Sequence, residues 1–191
     1  QNIWIGYANT DFYTLLGTAV NLVVTLTCAY AISRKQLAGR NFFMILFMVT
    51  MYINGGLIAN YLNMKSFGLL DSRWSMILPG AMSVYNMIVA RTFFASSIPE
   101  EITEAARIDG CDEFGIFRKI VMPLSKAIVG VMVLYYGIGH WNSYFDAMIY
   151  LDDRKKFPLQ LFLREILLQS KLLDVVSGVG SVSAEELAYL E

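Results

Sequence analysis

Ser96-Ser97-Ile98-Pro99-Glu100-Glu101-Ile102-Thr103-Glu104-Ala105-Ala106-Arg107-Ile108-Asp109-Gly110 is a polar, helix-favouring stretch with strongly apolar segments on either side. It continues through Cys111-Asp112-Glu113-Phe114 to Ile120-Val121-Met122-Pro123. Pro99 suits the first turn of a helix, where its missing N–H would have had no intrahelical partner. Gly110 suits the end, where a left-handed residue is often required. Asp112 is placed to cap a second short helix and Pro123 to open the next long one. A polar helix–turn–helix between apolar segments is something a soluble partner can grip.

The flanking segments are of membrane-spanning length, about 20 residues for a hydrocarbon core of ~30 Å. Four are read from the sequence, at residues 12–32, 42–62, 74–95 and 123–151. Each is apolar nearly all round rather than along one stripe. The polar residues inside them are mostly Thr, Ser, Asn and Tyr, which hydrogen-bond to neighbouring helices. Gly55-Gly56 and Pro79 are breakers that a bundle tolerates, the glycines reading as sites of close helix packing. Composition agrees: 56% of the 191 residues are hydrophobic and 16% charged, with a mean hydropathy of +0.49. A soluble domain carries about 25% charge. The net charge of −1 argues against a nucleic-acid binder.

The loop at residues 33–41 carries Arg34, Lys35 and Arg40 and reads as cytoplasmic, as does the 95–122 loop with Arg107, Arg118 and Lys119. Alternation then puts Lys65 and Arg73 outside, together with Arg154, Lys155 and Lys156, and that last run conflicts with the positive-inside rule. Beyond the fourth span, residues 157–173 form an amphipathic outer segment, with Leu159, Phe162, Leu163, Ile166 and Leu167 on one face. Ser177-Gly178-Val179-Gly180-Ser181 reads as a flexible link, and Ser183–Glu191 as the start of another helix. The chain opens on Gln1 without a cleavable signal pattern and is expected to be a fragment. Cys28 and Cys111, one in a span and one in a cytoplasmic loop, are not expected to pair.

Glu104-Ala105-Ala106, three residues, Gly110, nine residues, then Ile120-Val121-Met122-Pro123 resembles the EAA loop of ABC-importer permease subunits. Met122 stands where leucine is usual, Cys111 where alanine is common, and Ala127 where a second proline often follows. The run from Ile98 to Gly110 resembles the carbohydrate-uptake branch of the binding-protein-dependent transport family. Gly139-His140-Trp141-Asn142-Ser143-Tyr144-Phe145-Asp146 and Phe157-Pro158-Leu159-Gln160-Leu161 are similar to its LplC-like and MalG-like members. The resemblance implies an all-α integral membrane protein, one transmembrane permease domain over residues 1–191 with four spans of an expected six, in a bacterial cell membrane. It implies a cytoplasmic coupling helix that docks on a separate ABC ATPase through Glu104, Ala105, Ala106, Asp109, Gly110, Ile120 and Pro123. A second homologous permease subunit, an extracellular sugar-binding protein and membrane lipid are the other implied partners.

No enzymatic constellation is visible. His140 is the only histidine and has no metal-ligand spacing around it, and there is no GxxxxGK[ST] phosphate loop, so ATP is expected on the partner ATPase and not on this chain. No cofactor, metal site or catalytic residue is expected. The acids from Glu100 to Glu113 taken alone would be a solvated helix face. The order Glu-Ala-Ala…Gly is what favours docking, since small residues permit close approach and the glycine permits the turn. His140, Trp141, Asn142, Tyr144 and Asp146 form an aromatic and polar cluster suited to a sugar path. Helical spacing puts Asn142 with Asp146 and His140 with Tyr144 on shared faces. The competing reading is an interfacial aromatic belt with interhelical hydrogen bonds. A permease for peptides, amino acids or another solute, and more remotely a membrane-embedded enzyme using His140 and Asp146, are the alternatives.

Overall fold

The computed structural model describes residues 2–53 and 55–172, and helices and their connections account for all of them. The link at Ser177–Ser181, the helix start at Ser183–Glu191 and residue 173 of the outer segment lie outside the described residues.

Helix α1 runs unbroken over Asn2–Ser33. It contains no proline, and at 1.5 Å per residue it is about 48 Å long, more than the hydrocarbon core requires. Its two interior glycines mark close approaches. A Cβ on Gly6 would lie 2.9 Å from the Phe162 ring, and one on Gly17 would lie 2.5 Å from Nε2 of His140.

The other three predicted spans are interrupted. The 42–62 stretch is two helices, α2 (Arg40–Tyr52) and α3 (Gly56–Ser66), bent by 113°. Gly56 has φ +79°, and nothing lies within 4 Å of where its Cβ would be. That glycine therefore serves the turn, which a left-handed residue imposes, and not the close packing expected of it. In the 74–95 stretch a short 3₁₀ turn at Arg73–Met76 gives way to irregular chain around Pro79, where a backbone donor is missing. Regular helix resumes only at α4 (Val84–Ser97), where Ser83 accepts the N–H of Asn86 at 3.4 Å.

After α4 come α5 (Glu100–Ile108), α6 (Glu113–Ile116), a π-helical turn at Phe117–Val121 and α7 (Met122–Leu124). The 123–151 stretch is then α8 (Lys126–Trp141) and α9 (Tyr144–Tyr150), parted at Asn142-Ser143. Pro123 lies in the one-turn α7, and the chain bends by 84° between Glu113–Leu124 and Lys126–Trp141, so Pro123 precedes the long helix instead of opening it. Among the described residues one helix alone is long and apolar enough to cross a membrane, and three spans result if each bent pair counts as one.

The main core lies between α1, α4 and α8, where Leu26, Ala29 and Ile32 meet Met87, Ala90 and Phe94 and, from α8, Ile128, Met132 and Tyr136. Ile98, Ala106, Ile116 and Val121 seal the same cluster from the polar loop, so that loop is anchored in the bundle. A smaller cluster of Tyr13, Met76, Ala147, Leu151 and Leu161 closes the far end. Residues 159–172 are helical, but only Leu159, Leu161 and Phe162 are buried. Leu163, Ile166 and Leu167, read onto the same apolar face, are exposed, and the helix meets α1 near Gly6 through its first turn.

The two ends of α1 sort the loops. At its C-terminal end, Lys35 pairs with Glu100 at 2.7 Å and Arg34 donates to Thr103 Oγ1 at 3.4 Å, joining the 33–41 loop to α5. At the N-terminal end, Asn9 donates to the carbonyls of Lys155 (2.7 Å) and Phe157 (3.1 Å), and Lys156 pairs with Asp71 at 2.7 Å. The loops assigned to one side of the membrane thus meet each other. The basic run that conflicted with the charge rule is neutralised locally, Lys156 by Asp71 and Arg154 by Glu165 at 2.6 Å.

Candidate functional site

The polar loop folds as a braced platform. Pro99 (φ −56°, ψ 141°) sets the extended entry one residue ahead of α5. At the far end Gly110 has φ +83°; its N–H donates to the Arg107 carbonyl at 3.0 Å and that of Cys111 to Ala106 at 2.9 Å. These two bonds form a Schellman motif, and the left-handed residue it needs is the glycine expected there. Asp112 Oδ1 accepts the N–H of Gly115 at 3.2 Å and starts α6, as its cap chemistry predicts. Arg107 Nε then pairs with Glu113 Oε1 at 2.7 Å, which joins α5 to α6 across the turn. Tyr30 of α1 donates to the other Glu113 oxygen at 3.2 Å.

These bonds set the charge states. The hydrogen bond from Lys35 holds the Glu100 carboxyl below the usual carboxylate range, and its partner Lys35 is raised by the same bond. Glu113 is likewise lowered, first by the hydrogen bond from Arg107. Both carboxylates are therefore ionised throughout the neutral range.

The faces of α5 divide the motif. Thr103 and Ala106 are buried against the bundle, and Ile120 packs on the same core. The small side chain of Ala106 thus permits approach of α5 to its own core, and Pro123 stands exposed in the one-turn α7. Glu101, Glu104, Ala105, Asp109 and Gly110 are exposed on the outer side. With them stand three apolar side chains that the sequence reading left out, Ile102 at 41% exposure, Ile108 at 87% and Phe114 at 65%. Their signal was two isoleucines and a phenylalanine set among the acids of residues 100–114, which periodicity alone does not flag.

Deeper in the bundle, α1 carries a row of hydroxyl and amide side chains. Thr25 Oγ1 lies 2.6 Å from the Tyr136 hydroxyl, which also accepts the Ser83 N–H at 3.2 Å. Asn21 Oδ1 lies 2.7 Å from His140 Nε2, and the Asn21 amide donates to the Gly80 carbonyl. Leu159 N–H donates to Thr10 Oγ1 at 2.9 Å. His140 is thus a buried interhelical tie against Gly17, with its Nε2 already engaged.

A cavity of about 490 Å³ lies between α3, the chain around Pro79 and α8–α9. Asn60, Asn63, Ser75, Tyr135, Ser143 and Asp146 supply much of its lining, and His140 and Tyr150 border it. The predicted cluster divides here. The break at Asn142-Ser143 removes the i, i+4 relation, so Asp146 faces this cavity while Asn142 does not. Asn142 instead donates to the Ile138 carbonyl at 2.9 Å, and with Trp141 it borders a separate apolar groove along Gly130, Leu134 and Gly137. The Tyr144 ring stacks under the Arg164 guanidinium, 5.0 Å from the ring centroid.

Residues 12–145 match the family described as binding-protein-dependent transport system inner membrane component. Protein LplC of Bacillus subtilis (strain 168) is 43% identical over 161 residues, covering 84% of this chain and 54% of that protein. The polygalacturonan/rhamnogalacturonan transport system permease protein YtcP of the same organism is 44% identical over 173 residues, covering 90% of this chain and 60% of its own length. A chain in a crystal structure of a bacterial ABC transporter involved in the import of the acidic polysaccharide alginate superposes with a TM-score of 0.84 at 38% identity, covering 86% of this chain and 59% of that one. The chain therefore spans little more than half the length of these relatives.

Proposed function

Because this chain belongs to the family of binding-protein-dependent transport system inner membrane components, we propose that it forms part of the permease of an ATP-driven carbohydrate importer. In this reading the platform of α5 and α6 is the cytoplasmic element that receives movement from a separate ATPase. A second homologous permease completes the path, and an extracellular sugar-binding protein delivers the substrate. ATP is bound by the ATPase, and the chain crosses the cell membrane several times. Relatives named for rhamnogalacturonan transport and alginate import, and a cavity rich in amides and tyrosines, support a saccharide as cargo. Tyrosine rings suit apolar sugar faces, and amides and hydroxyls suit sugar hydroxyls.

The observation that carries the coupling role is the construction of α5. Its inner face is buried in the bundle core, its ends are fixed by Pro99 and the Gly110 Schellman motif, and its outer face presents Glu104, Ala105 and Ile108. A force applied to that face passes into α1 through Lys35–Glu100 and Tyr30–Glu113 and into the α4–α8 core through Ala106. Movement then shifts the bundle between two packed states, with ATP binding supplying the difference in affinity.

The test is the double variant Glu104→Lys, Gly110→Val in the full-length transporter. Lysine places a like charge against the cationic site expected on the ATPase, and valine is strained at φ +83°. Both should leave membrane insertion intact while ATP-driven uptake stops and the ATPase no longer co-purifies. Retained ATPase together with normal uptake would overturn the assignment.

A further inference from the structure

A group of cations gathers where α1 ends and α2 begins, beside the coupling platform. Arg34 follows α1, Arg40 opens α2, and Arg91 of α4 reaches the same corner, its Nε directed at the Ile32 carbonyl at 3.5 Å. Arg91 lies close enough to Arg40 to feel its charge. Nε and Nη2 of Arg34 and Nε of Arg40 are enclosed and have no hydrogen-bond partner among the described residues. A guanidinium N–H shut away from water without an acceptor is costly, and here three occur in two neighbouring side chains.

Beside them is a polar cavity of about 390 Å³, bordered by Lys35, Gly39, Arg40 and Asn41 with Leu37 and Phe42 at its edge. No acidic side chain lines it. The cavity thus offers two cations and an amide, and its ligand must supply negative charge and acceptor oxygens. Its surroundings say more about that ligand. Phe42, Phe43 and Ile45 on the adjoining turns of α2 are exposed and apolar. The corner sits at the end of the membrane-length helix α1, on the side where α5 lies. Negative oxygens at the bilayer boundary with apolar surface directly beyond them match a phosphodiester carrying acyl chains.

We propose that Lys35, Arg40 and Asn41, which line this cavity, form a binding site for the headgroup of an anionic phospholipid of the cytoplasmic leaflet, with its acyl chains lying along Phe42, Phe43 and Ile45. Basic pockets between spans on that side are suited to such headgroups. The reading relies on the membrane orientation given above and not on the transported solute. Lys35 also pairs with Glu100 of α5 at 2.7 Å, so an occupied site braces the base of the coupling platform.

The test uses the full-length transporter in detergent, delipidated and titrated with phosphatidylglycerol, phosphatidylcholine or inorganic phosphate, with bound lipid counted by native mass spectrometry. Phosphatidylglycerol should be retained in preference to phosphatidylcholine, and inorganic phosphate should not displace it. Lys35→Gln, Arg40→Gln should weaken that binding about tenfold or more, since each basic group at an anionic surface contributes roughly fivefold. Asn41→Asp keeps both cations and should weaken it by placing a carboxylate at the cavity mouth, which covers the case in which the double variant fails to fold. Lys119→Gln, an exposed charge elsewhere on that side, should leave binding unchanged. Unaltered phosphatidylglycerol binding in Asn41→Asp and in Lys35→Gln, Arg40→Gln would overturn the site. Displacement by phosphate would make it a free-anion site, and loss of the ATPase without loss of lipid would make it a protein contact; either result also overturns the proposal.

Discussion

Lys35 Nζ lies 2.7 Å from Glu100 Oε2, so the loop leaving the longest helix of the bundle is tied to the first turn of the exposed helix α5. The pair is at the surface, where an ion pair adds little to stability. Its consequence is positional, because it couples α1 to whatever moves α5. Lys35→Glu should lower uptake per ATP hydrolysed with little change in melting temperature, and the swap Lys35→Glu, Glu100→Lys should restore it. Glu100 is held below its ordinary pKa, so the pairing is present above the unfolded carboxylate value and is lost only as pH falls through the depressed one. Lys35 is raised, so its share is lost only as pH rises through a value above the ordinary lysine range. The effect of the swap should therefore be flat from about pH 6 to 8. Uptake in reconstituted vesicles at both ends of that window checks this.

Ile108 and Phe114 stand in water on an otherwise polar platform. If they fill pockets on the ATPase, each contributes about 1.5–3 kcal/mol on burial. Ile108→Ser and Phe114→Ser should each weaken ATPase binding by about ten- to a hundredfold by that measure. Membrane insertion should be normal. Titration of the purified ATPase against the reconstituted permease reads the change.

His140 and Asn21 are joined at 2.7 Å in the bundle interior, and Gly17 leaves room for the imidazole. Asn21→Leu strands His140 and the Gly80 carbonyl, each a buried group that costs about 1–3 kcal/mol when unpaired. Gly17→Val drives a side chain into the ring. Both should lower thermal stability in detergent. A Gly17→Val melting curve that matches the parent would show that α1 and α8 do not meet this closely.

Asp146 borders the polar cavity and Asn142 does not. Asp146→Ala should reduce uptake or change sugar preference while assembly persists, and Asn142→Ala should leave transport near the parent level. Competition assays with a panel of oligosaccharides separate the two. An effect of equal size from both would restore the shared helix face that their spacing suggested.

Asp71 joins the loop before Arg73 to the chain after α9. Its carboxylate takes the ammonium of Lys156 at 2.7 Å and the N–H groups of Asp152 and Asp153 at 3.1 and 3.0 Å. Its backbone is left-handed at φ 52°, which asparagine tolerates and a β-branched residue does not. Asp71→Asn should be mildly destabilising and Asp71→Val severely so, as measured by protease cleavage of the 67–73 loop. The Lys156 hydrogen bond lowers the Asp71 pKa, so the difference between parent and Asp71→Asn is present above the ordinary aspartate value and fades as pH falls through the lowered one.

Local chemistry and order along the chain determined much of this protein from sequence alone. A helix capped at Asp112 and a left-handed stop at Gly110 follow from properties of single residues, and the structure has both, whereas Pro99, expected in the first turn of α5, lies one residue ahead of it. The apolar character of the bundle and the grouping of its loops into two sides followed from composition and alternation. What the sequence could not decide is where a helix bends and which way a side chain faces, because both depend on neighbours distant in the chain. Gly56 turns a span that hydropathy reads as continuous, and the Asn142-Ser143 break sends Asn142 and Asp146 into different cavities. Ala106 reads as an exposed docking residue until Phe94 and Ile116 are found in the cluster beneath it. His140 reads as a sugar-path residue or an interhelical hydrogen-bonding group until α1 brings Asn21 against it, and that contact joins positions 119 residues apart.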